Sequence, residues 1–411
     1  MNTASFIARR IAFNRQKTFS RIIIRLAITA TAISVAVMIL TLAFVNGFQN
    51  AVSQKVFSFW GHIRVQHYEQ HKAAIAEESP ITKNDTIAAE ISHMPGIKTV
   101  QAFATKYAIL KTDESIEGVL FKGVDSSYDF KSLQPFLTAG RWVEFPDSTY
   151  SREVVISEYT AQQLKLNVND RILIYFFRGE DQRPRPDKLT IVGLYKTNME
   201  EYDKLYTIGD IKLVQRLNDW APDQIGGYEV FVDDYRKMDA INDEIFSSLP
   251  GEWGSKTIKD IYTNIFDWLQ LQNTNRDVVL VIMVVIAVIN LITCLIILVL
   301  ERTRMIGVLK AVGATDWTVQ KIFTYQGVLI ASFGILIGLA VGLGICYLQE
   351  KTGFLKFWDE NAYYMLVVPV QVIWWQVLLV VAGTLVVCGL TLLIPSMVSR
   401  RIQPAKAVQF R

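Results

Sequence analysis

Four long apolar runs interrupt a sequence of otherwise mixed character. A helix needs about 20 predominantly apolar residues to cross the hydrocarbon core of a bilayer. Each run reaches that length with no Asp, Glu, Lys or Arg at its centre. The pattern therefore predicts four transmembrane α-helices, TM1 to TM4, which we assign to residues 26–46, 278–300, 322–348 and 372–394.

The region between TM1 and TM2, residues 47–277, changes to short segments of two kinds. Alternating or β-branched runs predict strands, and stretches with helical periodicity lie between them. The strands are predicted at 62–66, 153–157, 171–177, 189–195 and 228–234, and the helices at 84–94, 157–166, 208–219 and 236–249. We expect a large mixed α/β domain of two subdomains, formed by non-contiguous segments that divide near residue 105. From Thr257 onward, a periodic stretch without Gly or Pro predicts a continuous stalk helix leading into TM2.

Lys and Arg concentrate in three segments, residues 1–25, 301–321 and 395–411, which four spans would place on one side. Because positive residues flank spans on the cytoplasmic side, both termini are predicted to be cytoplasmic. The region 47–277 and a short loop at 349–371 then lie outside, and the former carries 26 Lys and Arg against 34 Asp and Glu. The opening segment fits an amphipathic helix on the inner membrane surface or a basic flank of TM1, and the two are compatible.

The connection between TM2 and TM3 is charged, and it is amphipathic when wound as a helix. Gly313 and Ala314 are predicted to break that helix, and Thr315 is placed to cap its continuation. The chain has no G-x-x-x-x-G-K-[ST] phosphate loop, G-x-S-x-G or H-E-x-x-H motif, so we expect no enzymatic activity. The spans also lack the ionisable residues of ion-coupled transport. Transport would therefore need an external motor, for which this cytoplasmic helix offers a docking face.

Two clusters invite a chemical interpretation. Three histidines lie within ten residues of one another, namely His62, His67 and His71. Their spacing fits no standard zinc pattern, and the first two lie on opposite faces of a predicted strand. We interpret them as surface histidines and expect no metal site. A second cluster could pair catalytic carboxylates but is interpreted as a solvated turn; it contains Glu200, Glu201 and Asp203.

Three glycines recur at every fourth position in TM3, namely Gly334, Gly338 and Gly342. Small residues on one stripe let another helix approach closely, which predicts a helix-packing face. The sequence leaves open whether the helix that packs on this face belongs to a second copy or to the same bundle. The polar loop 177–188 between two predicted strands is stiffened by Pro184 and Pro186. It is either a protruding partner-binding element or a long hairpin turn.

Several segments resemble one known family. "LERTRMIGVLKAVGAT", "IFTYQGVLIASFGILIGLAVGLG" and the tail "IPSMVSRRIQPAKAVQFR" are similar to the signature of FtsX/MacB-like permeases of type VII ABC transporters. "AFVNGFQNAVSQKVFSFWGHIRV", "FKGVDSSYDFKSLQPFLTAGRW" and "LTIVGLYKTNMEEYDKLY" resemble the lipoprotein-releasing LolC/LolE branch of that family. The resemblance extends in order over nearly the whole chain.

The resemblance implies a multi-pass permease subunit of the bacterial inner membrane with a MacB-like periplasmic core domain. It would work with two copies of a separate ABC ATPase and with a second permease, either identical or paralogous. This chain would hold no cofactor, because ATP and Mg²⁺ would bind the ATPase. Motion would pass through the helices to the periplasmic domain (mechanotransmission). An acylated lipoprotein would enter from the membrane lipid and pass to a periplasmic carrier, and no nucleic acid is expected as a partner.

Three sets of site residues follow from position in the family, and none of them is catalytic. The ATPase-coupling set is Glu301, Arg302, Arg304, Gly307, Lys310, Gly313 and Ala314. The lipoprotein-binding set is Val45, Asn46, Gly47 and Phe48. The carrier-binding set is Arg178, Arg183, Pro184, Arg185 and Pro186.

Two other functions fit parts of the pattern. A MacB-like exporter usually carries its ATPase in the same chain, and no such domain is found here. An FtsX-like signalling subunit, which activates a cell-wall hydrolase, has a much smaller exported domain. The sequence leaves open whether the permeases form a homodimer or a heterodimer and whether the role is LolC-like or LolE-like. It also leaves open which lipoproteins are transported and whether the loop around Arg183 contacts the carrier.

Overall fold

The computed structural model describes residues 19–68, 79–146, 149–176, 185–359 and 363–391. These residues form two compact units. Within the described ranges, the helical unit contains residues up to 50, residues 268–356 and residues from 367 onward. The α/β unit contains residues 51–267 and 357–366. The predicted tail 395–411 and most of the predicted segment 1–25 lie outside the described residues.

Helices and strands are numbered here in chain order. The helices are α1 (Phe19–Trp60), α2 (Asp85–His93), α3 (Glu158–Leu164), α4 (Glu200–Asp203), α5 (Ile211–Leu217), α6 (Met238–Ser248), α7 (Ile258–Ile261), α8 (Thr263–Glu301), α9 (Thr303–Ala311), α10 (Asp316–Thr352) and α11 (Trp374–Thr391). The strands are β1 (Ile63–His67), β2 (Ile81–Thr82), β3 (Ile97–Lys111), β4 (Ile116–Val124), β5 (Leu137–Gly140), β6 (Glu153–Ser157), β7 (Arg171–Phe176), β8 (Arg185–Tyr195), β9 (Tyr206–Asp210), β10 (Gln224–Ile225), β11 (Gly227–Val232) and β12 (Trp253–Thr257).

Three of the helices, α1, α8 and α10, are long and apolar enough to cross a membrane. They contain the predicted spans TM1, TM2 and TM3. The helix at the position of TM4, α11, is shorter, and its apolar part is Trp374–Leu390. Residues 392–394 of that predicted span lie outside the described ranges. A count of four spans therefore stays a prediction.

The glycine stripe of α10 packs against α1 within the helical unit. A Cβ atom placed on Gly338 would lie 2.5 Å from the backbone oxygen of Ala32, and one on Gly334 would lie 2.7 Å from Cβ of Thr31. Contacts this close between two backbones are possible only where a side chain is missing. The structure thus places the partner of this stripe in the same chain, which the sequence left open.

The core of the α/β unit is a ten-stranded sheet. Nine of its strands follow the order β12-β1-β11-β3-β4-β9-β6-β8-β5. The tenth strand, β7, pairs with both β3 and β8. The pairing closes a ring of strands, β3-β4-β9-β6-β8-β7, so that these strands have no free edge among themselves. Strands β11, β1 and β12 extend the sheet outward from β3, and β5 pairs with β8.

The long strand β3 belongs to both parts of this sheet. Its first half, from Ile97 to Phe103, pairs with β11, and its second half, from Phe103 to Lys111, pairs with β4. The predicted division near residue 105 therefore falls inside a strand and not in a linker. The two groups of segments are joined by continuous backbone hydrogen bonding through β3.

The five predicted strands are present as β1, β6, β7, β8 and β11. The strands β2, β5, β9, β10 and β12 were not predicted, and neither were the long strands β3 and β4. Their patterns are obscured because Lys106 and Lys122 point inward and are almost completely buried. One predicted helix, 208–219, is wrong in its first part. Residues Ile208 to Asp210 form the end of β9, and the Asp210 side chain then caps α5 by accepting from the Lys212 N–H.

The predicted continuous stalk helix from Thr257 is also interrupted. Thr257 caps the one-turn helix α7 in a reciprocal capping box with Asp260. Tyr262 then leaves the helical conformation, and α8 begins at Thr263. The helix is interrupted because of local hydrogen bonding at the cap. The prediction relied on the absence of Gly and Pro and could not detect these bonds.

The last residues of α1 enter the core of the α/β unit. Phe59 and Trp60 are almost completely buried. The ammonium group of Lys122 on β4 donates to the backbone oxygen of Phe59 and also to Glu229 on β11 at 2.9 Å. A cation at a helix C-terminus satisfies carbonyls that have no partner within the helix and interacts favourably with the helix dipole. The end of α1 is thus bonded to two strands of the sheet.

Candidate functional site

The connection between α8 and α10 has the predicted shape. The short helix α9 ends at Ala311, and Gly313 has a φ of 99°, a conformation that favours glycine. The Thr315 side chain then accepts a hydrogen bond from the N–H of Thr318 and caps α10. The helix break at Gly313–Ala314 and the cap at Thr315 are confirmed.

One face of α9 is buried in a small apolar cluster. Ile306 packs with Val299, Val319 and Phe323, and each of these four side chains is at most 1% exposed. Lys310 Nζ lies 2.9 Å from Asp316 Oδ1 and thereby links α9 to the first turn of α10. These contacts fix α9 relative to the helices on both sides of it.

The opposite face of α9, the turn that follows it and the first turn of α10 expose apolar side chains. Val308 is 51% exposed, Val312 is 83% exposed and Trp317 is 55% exposed. An exposed apolar patch on a helix face is a typical protein contact surface. We call Val308, Val312 and Trp317 the α9 patch. Val308 and Val312 are four residues apart and lie on the side of the helix opposite Ile306. This spacing could have been read from the sequence.

The predicted ATPase-coupling residues divide between the two faces. Glu301, Arg304 and Gly313 are exposed, whereas Gly307 is buried. The Lys310 side chain is only 9% exposed and engages Asp316. The remaining two residues, Arg302 and Ala314, have intermediate exposure. The structure therefore brings together only part of the predicted set on one accessible surface.

The predicted lipoprotein-binding residues make close contacts within the helical unit. Asn46 Nδ2 donates to Gln376 Oε1 at 2.6 Å, and a Cβ atom on Gly47 would lie 2.6 Å from the oxygen of Pro369. The Phe48 ring is buried and lies edge-on to Trp268, with their centroids 5.3 Å apart. Val45 is also buried. These residues pack the C-terminal half of α1 against its neighbours, and a role in lipoprotein binding stays a prediction.

The predicted carrier-binding loop falls mainly outside the described residues. Arg178, Arg183 and Pro184 belong to the range 177–184, which is not described, and the Arg185 side chain is likewise outside the description. The backbone of Arg185 and Pro186 pairs with Phe176 and Tyr175 of β7. The last part of the predicted loop is therefore strand β8, and the contact with a carrier stays a prediction.

The segment that was interpreted as a solvated turn is partly a buried structural turn. Asp203 accepts hydrogen bonds from the N–H groups of Thr197 at 2.9 Å and Asn198 at 3.0 Å. Burial raises the pKa of this carboxyl group, and the hydrogen bonds from Thr197 and Asn198 oppose that shift. Glu201 is exposed and accepts from the Tyr364 hydroxyl at 3.3 Å. The solvated-turn interpretation is wrong for Asp203.

Of the three histidines interpreted as surface residues, His62 is half-buried. Its ring stacks on Phe57 with centroids 4.2 Å apart, and its Nδ1 accepts from the Val232 N–H at 3.2 Å. Burial, and to a smaller extent the charge of Lys98, lowers the pKa of His62 to about 4. Among the described residues no three His, Cys, Asp or Glu side chains lie together as a metal site would require; His71 is not among them.

Two protein families match this chain. Residues 26–245 match the family described as MacB-like periplasmic core domain, and residues 278–404 match the family described as FtsX-like permease C-terminal. The first match alone covers more than half of the chain. The chain belongs to the FtsX/MacB-like permease family.

Two proteins of lipoprotein-releasing systems are similar to nearly the whole chain. The lipoprotein-releasing system transmembrane protein LolE of Haemophilus influenzae is 25% identical, and the match covers 99% of both chains. The corresponding LolC of the same organism is 22% identical over 95% of this chain and 94% of its own. The probable export ATP-binding/permease protein MacB of Pseudomonas entomophila is 29% identical, but the match covers 41% of this chain and 26% of that protein.

Proposed function

We propose that this permease is the transmembrane subunit of an ATP-driven complex that releases acylated lipoproteins from the inner membrane. The observation that carries the proposal is the similarity to LolE, a protein of the lipoprotein-releasing system, over 99% of both chains. The match to MacB covers 26% of that protein and does not favour an exporter. No feature of the described residues favours an FtsX-like signalling role.

The motor of this complex is a separate ABC ATPase in two copies, which binds ATP and Mg²⁺. The α9 patch is the surface that fits such a partner, because its apolar side chains are exposed beside the charged residues Glu301 and Arg304. Interfaces of this kind combine an apolar centre with a polar rim. The buried cluster around Ile306 then holds α9 rigidly enough to pass a displacement to α8 and α10.

The arrangement in the membrane follows the distribution of charge. In this proposal the chain crosses the membrane four times, at α1, α8, α10 and α11, with both termini and α9 in the cytoplasm and the α/β unit in the periplasm. The apolar helices and the basic flanks support this orientation. A second permease, identical or paralogous, completes the complex. The lipoprotein leaves the membrane lipid near the outer half of α1 and is handed to a periplasmic carrier.

Depletion of the permease followed by membrane fractionation tests this proposal. We expect acylated lipoproteins of the outer membrane to accumulate in the inner membrane. An outer-membrane protein without an acyl group serves as the control and should keep its location. The proposal fails if the lipoproteins still reach the outer membrane, or if both classes of protein are retained equally.

A further inference from the structure

The segment between α10 and α11 belongs to two different parts of the molecule. Lys356 and Val367 form an antiparallel bridge and are part of the helical unit. The described residues 357–359 and 363–366, which we call the shoulder segment, are instead part of the α/β unit. The Phe357 N–H donates to the oxygen of Leu366 at 2.8 Å, so the two ends of the shoulder segment are held together.

One lysine of α1 bonds the shoulder segment to the rest of the α/β unit. Lys55 Nζ donates to the backbone oxygen of Tyr364 and, at 2.7 Å, to the backbone oxygen of Thr197. Hydrogen bonds from an ammonium group are stronger than those between neutral groups. A single side chain thus links α1, the turn after β8 and the shoulder segment.

The Tyr364 side chain makes a second connection to the same turn. Its hydroxyl donates to Glu201 Oε1 at 3.3 Å. Burial and the nearby Glu201 carboxylate raise the pKa of Tyr364 to about 12, so the phenol keeps its proton at neutral pH. The backbone of Tyr364 has a φ of 60°, and a residue other than glycine persists there only when its surroundings hold it.

We propose that Lys55 and Tyr364 form a latch through which displacement of α10 and α11 reaches the α/β unit. In this role Lys55 and Tyr364 are positioning residues, because they act by holding the shoulder segment. Their bonds attach the shoulder segment to α1 and to the turn after β8. The inference rests on the proposed function, because it describes how ATP-driven motion becomes lipoprotein release.

The hold on the shoulder segment can be measured independently of transport. Trp358 is 94% exposed, and the cysteines Cys294, Cys346 and Cys388 are buried. A spin label on Trp358→Cys therefore reports motion of the shoulder segment with little perturbation. We expect Lys55→Met to increase the motion of the label, because both bonds to the carbonyl oxygens are lost. Lys55→Arg keeps the charge and should restore most of the restriction.

A neighbouring lysine supplies the matched control. Lys204 pairs with Glu200 on the same turn, but no bond from it to the shoulder segment is seen among the described residues. Lys204→Met should leave the label as restricted as in the otherwise unchanged protein. Tyr364→Phe removes only the hydroxyl bond to Glu201 and should have a smaller effect than Lys55→Met.

Coupling is then measured in proteoliposomes that contain the complete transporter and a purified acylated lipoprotein. We expect Lys55→Met to leave the rate of ATP hydrolysis unchanged and to lower lipoprotein release per ATP by about tenfold. That factor corresponds to the loss of the charge-assisted hydrogen bond to Tyr364, the one of the two that reaches the shoulder segment. A merely structural role would instead lower hydrolysis and release together, through loss of folded complex.

Failure of the latch can be distinguished from failure of the proposed function. If the unchanged transporter hydrolyses ATP but releases no lipoprotein, the proposed function is wrong, whatever the label shows. If it releases lipoprotein and Lys55→Met either leaves the label restricted or leaves release per ATP unchanged, the latch is wrong. Increased label motion together with uncoupled hydrolysis supports the latch.

Discussion

Lys122 Nζ lies 2.7 Å from a carboxylate oxygen of Glu229, and both side chains are completely buried. The same ammonium group lies 4.7 Å from the centroid of the Trp60 ring. Removing two charges from water is costly, and an ion pair in a protein interior offsets that cost only when its remaining hydrogen bonds are satisfied. Here the bond to the oxygen of Phe59 supplies one of them. The pair therefore joins the end of α1 to the sheet.

Replacing one partner of this pair should destabilise the α/β unit strongly. We expect Lys122→Met to lower the free energy of unfolding by about 3–5 kcal/mol, because Glu229 is left as a buried charge without its partner. The double change Lys122→Met with Glu229→Met should recover most of that loss. Denaturant unfolding of the purified full chain measures both values.

An exposed pair provides the control for that measurement. Lys165 and Glu114 also pair, but their side chains are 76% and 71% exposed. Lys165→Met should change the free energy of unfolding by less than about 0.5 kcal/mol, since exposed pairs contribute little. If Lys122→Met has an equally small effect, the pair does not stabilise the end of α1.

The glycine stripe predicts different responses at two positions of α10. At Gly338 a Cβ atom would lie 2.5 Å from the backbone oxygen of Ala32, whereas at Gly344 nothing lies within 4 Å. We expect Gly338→Ala to lower the free energy of unfolding by about 1–3 kcal/mol, because α1 and α10 must move apart. Gly344→Ala should be neutral or slightly stabilising, since alanine favours the helix. Thermal unfolding in detergent compares the two variants, and equal melting temperatures would contradict the packing.

The α9 patch predicts how the ATPase is bound. Val312 is 83% exposed, so a substitution there should not disturb the fold. We expect Val312→Glu to weaken binding of the ATPase by about 2 kcal/mol or more, roughly 30-fold, as at other interface hot spots. Val312→Thr keeps the side-chain volume and should bind with nearly unchanged affinity. Titration of the purified permease with its ATPase measures this, and unchanged affinity in the Glu variant would exclude the patch from the interface.

Apolar periodicity was sufficient to locate the long helices and five of the twelve strands in the described residues, β1, β6, β7, β8 and β11. It also located the break at Gly313 and the cap at Thr315, because a helix end is a local property of a few residues. The strands β3 and β4 were missed for a non-local reason. Lys106 and Lys122 are buried, and for Lys122 the compensating partners come from distant residues, Phe59 and Glu229.

The functional surfaces were predicted less well than the fold. Gly307 and Lys310 were assigned to the coupling surface from the family pattern, yet one is buried and the other engages Asp316. Which side of a short helix is exposed depends on its packing partners, and for α9 these are Val319 and Phe323 of α10. A motif identifies the segment, but the accessible face follows from the tertiary contacts.

His62 predicts how stability depends on pH. In the folded chain its pKa is lowered to about 4 from an ordinary value of 6.5, chiefly by burial. Between these two pH values the unfolded chain binds more protons at His62 than the folded chain does. Stability should therefore fall as the pH drops from about 6.5 to about 4, by about 3 kcal/mol for this group.

Replacement of His62 separates this group from the many carboxylates that titrate near pH 4. His62→Phe preserves an aromatic ring against Phe57 but cannot be protonated, and it loses the acceptor for the Val232 N–H. We expect this variant to be less stable at pH 7 and to show a shallower loss of stability between pH 6.5 and pH 4. Denaturant unfolding at a series of pH values measures both effects. An unchanged slope in the variant would show that His62 does not contribute to the acid sensitivity of the fold.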